Sequence, residues 1–126
     1  MRIWVGRSAV LAGLVGAVAV LGGCTAPGQS AAERACTLGF EANDAITRIS
    51  FGEGGSLAGA LGKARGSASA AKDAAAADPK YQTLANATAA LRDAISDAEN
   101  SQDYISVELA LVTATIQLAG ECREFQ

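Results

Sequence analysis

"ADPKYQTLANATAALRDAISDA", Ala77 to Ala98, holds a helix start and several turns of packing pattern in one uninterrupted stretch. The Asp78 carboxylate suits the free amides of a helix start, and Pro79 stands at the first helical position, where its missing N–H costs nothing. Tyr81, Leu84, Thr88, Leu91, Ile95 and Ala98 then recur at three- and four-residue spacing, which places them on one face of an amphipathic helix. No part of the chain alternates in the way a half-buried strand does, so this stretch sets an all-α fold.

Downstream, "ENSQD" (Glu99 to Asp103) offers Asn100 or Ser101 as the next cap, and a fourth helix is expected from there to Phe125. The apolar register does not reset at Asn100, however. Ala98, Gln102, Ile105, Leu109, Val112, Ile116 and Ala119 continue it, so a single helix from Pro79 to Phe125 is the alternative. That helix would pair with the first two helices laid end to end, as an elongated hairpin. A small four-helix up-down bundle is preferred, because folding back at Asn100 buries more apolar surface per residue.

Upstream, Ser56 to Ala77 is almost entirely small, with Leu57, Leu61, Ala64, Ala68, Ala71 and Ala75 as its stripe. Small side chains let helices approach closely but bury little area each. Gly59, Gly62 and Gly66 weaken this segment, and a flexible low-complexity linker is its rival reading. "FGEGGS", Phe51 to Ser56, separates it from a first helix expected over Ala31 to Ser50. There Leu38, Ala42, Ala45, Ile46 and Ile49 share a face, with Cys36 and Phe40 at its border.

The first 23 residues differ in kind. Arg2 and Arg7 precede an uncharged apolar run from Ser8 to Gly23, shorter than the roughly 20 apolar residues of a spanning helix. The run ends in Leu21-Gly22-Gly23-Cys24, which resembles the lipobox of bacterial lipoproteins. That resemblance implies cleavage between Gly23 and Cys24, with a diacylglyceryl group on the Cys24 sulfur. The high Ala and Gly usage resembles that of actinobacterial or actinophage proteins, and no family is assigned to the mature domain. The expected organisation is a signal helix over 1–23, the lipidated Cys24 and a tether over 24–30, and a helical domain over 31–126. Two acyl chains anchor stably where one is marginal. The protein is therefore expected on the extracytoplasmic face of the cell membrane, with a tether reaching only about 20 Å.

With Cys24 lipidated, Cys36 and Cys122 remain as an even pair in an exported protein, where oxidation to a disulfide is favoured. Two buried free thiols are the other reading of this pair.

The chain has 126 residues and no histidine, which excludes Ser-His-Asp and Cys-His arrangements and ordinary zinc sites. No cofactor or metal is expected. Losing Arg2 and Arg7 with the signal segment leaves eight basic against thirteen acidic side chains, which argues against nucleic acid as a partner. Asp93 and Asp97 lie one turn apart but read as solvated carboxylates on a polar face.

The fourth helix carries two apolar stripes. One is Tyr104, Val107, Leu111, Ala114, Leu118 and Phe125; the other is Ile105, Leu109, Val112, Ile116 and Ala119. In a bundle this small, contact with two neighbouring helices accounts for both, and docking to an envelope protein is the sharper reading of the second. Ile105, Leu109, Val112 and Ile116 form that candidate partner face. The expected function is a non-catalytic interaction or structural module, with a small-ligand carrier using a pocket between helices as the alternative.

Overall fold

The computed structural model describes residues 26–101 and 104–126, with the side chains of residues 101–107 outside the described set. Gly23 and Cys24 therefore lie outside the described residues. Four helices pack against one another, and no strand occurs among the described residues. They are α1 (Gln29–Ser50), α2 (Leu57–Ala77), α3 (Gln82–Ser101) and α4 (Tyr104–Glu121). Among the described residues no helix is long and apolar enough to cross a membrane.

Each boundary has a local cause. Gly28 starts α1 two residues earlier than expected, in the left-handed conformation at φ 81°. A Cβ there would lie 2.8 Å from the Ala74 carbonyl oxygen and 3.2 Å from the Tyr81 ring. Gly28→Ala therefore combines the left-handed penalty of about 1–2 kcal/mol with a backbone clash. A drop in thermal midpoint is expected, and an unchanged midpoint would show that the chain has another way into α1. At the other end of α1, Gly52 adopts φ 74°, and the Gly52 and Glu53 amides donate to the Ile49 and Arg48 carbonyls. Such a left-handed residue ends a helix by satisfying its last carbonyls.

The Ser56 hydroxyl accepts from the Gly59 amide at 3.0 Å, and α2 then runs unbroken to Ala77, so the linker reading of this segment is corrected. Asp78 closes α2 through its own amide and opens the next element by accepting from the Lys80 amide at 3.0 Å. Pro79 begins a 3-10 turn, Pro79–Tyr81, that feeds directly into α3.

The elongated hairpin is ruled out by one cross-chain bond. The Thr83 hydroxyl at the start of α3 donates to the Glu121 carboxylate at the end of α4, at 2.7 Å. Those residues can meet only if the chain reverses between the two helices. The helix ends differ from those expected: α3 continues through Asn100 to Ser101, α4 begins at Tyr104, and a 3-10 turn covers Arg123–Phe125.

The core contains every residue of the expected α3 stripe and adds Ala87 and Ala94 beside it. Tyr81, Leu84, Thr88, Leu91, Ile95 and Ala98 are all buried. On α2 the buried set is wider than one stripe, since Ala60, Ser67, Ala70 and Ala74 join Leu61, Ala64, Ala68 and Ala71. This helix is covered on two sides because it lies between α1 and α3. The face of α1 is rotated from the expected one. Ala32, Ala35, Cys36, Gly39 and Ala42 are buried, whereas Leu38, Ala45, Ile46 and Ile49 are half-buried. Close packing chose the small residues rather than the large ones.

Candidate functional site

Two devices join α1 to α4 in the half of the bundle nearest Gln29. Cys36 and Cys122 form a buried disulfide with Cα atoms 5.8 Å apart. Next to it, Gly39 lies against Leu118 so closely that a Cβ on Gly39 would be 2.6 Å from a Leu118 methyl. The same Cβ would sit 3.1 Å from the Ser67 hydroxyl, which donates to the Ala35 carbonyl at 2.6 Å and ties α2 to α1. Ala32, Ala35, Gly39 and Ala42 bring the backbones together here because none projects more than a methyl group.

Beyond the Asn43–Thr115 contact, where the Thr115 hydroxyl donates to the Asn43 side-chain oxygen at 3.1 Å, the helices part. The residues facing one another change to Ile46 and Ile49 on α1 and Leu111 and Val112 on α4. Bulk at these positions holds the backbones apart, and a half-open groove of about 720 Å³ results. Phe51 and Leu57 close one end of it, while Asn43, Thr47, Ser50 and Thr115 supply uncharged polar groups. Glu108 is the one ionisable lining residue. The groove starts about 21 Å along α1 from Gln29, by helical rise, in the half of the bundle remote from the start of that helix.

The two stripes of α4 have different fates. Ala114 and Leu118 are buried, with Leu111 and Phe125 packed against the core. Leu109 is 75% exposed, Ile116 66% and Val112 49%. The expectation that neighbouring helices cover both stripes is thereby corrected, since α4 meets α3 and α1 with one side only. Ile105 belongs to α4, but its side chain is outside the described set. Exposed Phe51, at 75%, adds a fourth large apolar side chain beside Val112 and Ile116 at the groove.

The remaining candidates stay apart from this face. Asp93 pairs with its neighbour Arg92 at 3.0 Å on an exposed surface, and Asp97 is exposed. No group of three or more His, Cys, Asp or Glu side chains gathers among the described residues. Sequence reasoning missed the α1 wall of the groove. Its signal was the change along α1 from Ala and Gly at positions 32–42 to Ile at 46 and 49, which separates a tight half from an open half. No protein-family model matches the chain, and neither the curated proteins nor the solved structures yield a match, so the assignment of a role rests on this geometry alone.

Proposed function

We propose that this protein is a lipid-anchored, non-catalytic interaction module on the extracytoplasmic face of the cell membrane, which docks a protein through the outer face of α4. One observation carries the docking reading. Leu109, Val112 and Ile116 are exposed in a row beside an apolar groove, in a domain whose other large aliphatic side chains are buried or half-buried among the described residues. Contiguous exposed apolar surface marks binding sites, because solvating it is unfavourable unless something covers it. The lipobox resemblance at Leu21 to Cys24 supports the anchor. With α1 starting at Gln29, the residues between Cys24 and the fold hold the domain close to the membrane and leave the groove pointing outward.

Replacing Leu109 and Ile116 by Asp is expected to leave the thermal midpoint nearly unchanged, because exposed substitutions usually alter stability by under about 0.5 kcal/mol. The same change should abolish recovery of the docked protein from detergent extracts. Loss of the fold, or undiminished recovery, would sink the docking reading. The anchor has a separate check in the intact mass of the membrane-extracted protein. A diacyl adduct on Cys24 with residues 1–23 removed is expected, and an unmodified full-length mass would refute it.

The groove favours a second reading, a carrier for a small apolar ligand, since its volume falls in the usual range for ligand sites. A molecule that co-purifies with the full chain and is displaced when Leu111 is enlarged to Trp would support it.

A further inference from the structure

The geometry points to an amphipathic cation as the ligand of the groove between α1 and α4. Its apolar arm lies along Ile46, Ile49, Leu111 and Val112, and its ammonium group sits at the Glu108 end. This rests on the carrier reading above and names the ligand class.

The register of the two helices gives the groove a direction. The Cys36–Cys122 and Asn43–Thr115 pairs set α1 and α4 antiparallel, a step of seven residues on one helix matching seven on the other. Carried two turns further, the same register brings Ser50 level with Glu108, and both line the groove. The Asn43–Thr115 contact therefore forms one end, and Ser50, Phe51 and Glu108 the other. About 10 Å separate the two by helical rise, with aliphatic walls between them.

The two ends differ chemically. At the first, the hydroxyl protons are already engaged within the protein. The Thr47 hydroxyl donates to the Asn43 carbonyl at 3.0 Å. The Thr115 proton lies between the Leu111 carbonyl at 2.8 Å and the Asn43 side-chain oxygen at 3.1 Å. This uncharged end suits the tip of an apolar arm. At the second, Glu108 is exposed and is the one ionisable residue among the described lining. Phe51 stands at the same end, and an aromatic face attracts a cation.

The surrounding charge has the same sign. From Asp93 to Glu121 the chain holds six carboxylates and no Lys or Arg. Between Arg34 and Lys63 the one base is Arg48, which pairs with Asp44 at 3.0 Å and faces Thr37 and Lys63 instead of the groove. An anionic head would meet this field with only the neutral Asn43 amide and Ser50 hydroxyl as donors. An ammonium head meets a carboxylate and an aromatic ring.

The test labels Val112→Cys, a groove position, with N-ethylmaleimide in the full-length protein in its own membranes. The unsubstituted chain treated alike serves as the blank, since Cys36 and Cys122 are bridged. Octylamine, octanol and octanoate share one arm and differ in head charge, and each is titrated by its free aqueous concentration. Octylamine should slow labelling at a concentration about tenfold below that of octanol, the gain from one half-exposed ion pair and one aromatic face. Octanoate should require more than either. Glu108→Gln should bring octylamine back to the concentration that octanol needs. Octanoate protecting as well as octylamine, or the gap surviving Glu108→Gln, overturns the cationic ligand and leaves the carrier reading standing. If none of the three slows labelling, both fall.

Discussion

Replacing Cys36 and Cys122 together by Ala is expected to remove about 4–5 kcal/mol of stability from the mature domain, the chain-entropy value for so long a loop. The bridge joins residues 86 apart in sequence, so it constrains nearly the whole domain in the unfolded state. The packing around it offers little to compensate. On α1 the buried residues beside the bridge are Ala32, Ala35, Gly39 and Ala42, and each removes only a small apolar area from water. A small domain has about 5–15 kcal/mol in total, so this loss takes a large fraction of it. Denaturant titration of the oxidised protein and the double variant measures the difference, and thermal melting should show a fall of upwards of about 15 °C. A loss below about 1 kcal/mol would mean that side-chain packing, not the covalent link, holds α1 to α4.

Leu118→Ala is expected to cost about 2–5 kcal/mol, the range for truncating a buried leucine where the surroundings collapse incompletely. Leu118 is fully buried on α4, against Gly39 of α1. The junction also predicts the sign of a coupling. Gly39→Ala alone should destabilise, because its Cβ would stand 2.6 Å from a methyl of the fully buried Leu118, which must then shift from its packed position. With Leu118→Ala already in place that methyl is gone, and the added Cβ fills part of the cavity while removing a helix glycine. The double variant should therefore be more stable than the sum of the single losses predicts, by about 0.5–3 kcal/mol. Strict additivity in a double-mutant cycle would show that Gly39 and Leu118 do not share the space the structure assigns them.

These expectations separate what could be read from the residues from what could not. The α3 stripe was legible because most of its packing residues are large, apolar and regularly spaced, whereas the buried alanines beside it, Ala87 and Ala94, carry too little apolar area to mark a face. α1 has two candidate faces, one of Ala, Cys and Gly and one of Leu and Ile. Hydrophobicity alone favours the second. The first is buried because Gly39 fits Leu118 and Cys36 reaches Cys122, which are long-range facts that no local pattern carries. The two stripes of α4 were visible, but their fates were not. Both are apolar, and only the positions of α3 and α1 decide that Ala114 and Leu118 are covered while Leu109 and Ile116 are left outside.

By itself the sequence determined the helical class, the cap and proline that open the third helix and most of the packed face of that helix, and it favoured the pairing of Cys36 with Cys122 that the fold then forms. Those features depend on neighbours within a turn or two, or on residue chemistry that leaves few choices. The reversal between α3 and α4, the rotated face of α1 and the groove belong to the tertiary structure. The apolar register runs through Asn100 without a break and Asn100 and Ser101 are only candidate caps, so the reversal after Ser101 is decided by α4 packing back against α3. The groove exists because small residues close one half of the α1–α4 seam while isoleucines prop open the other, a difference in spacing that arises only when the two helices meet.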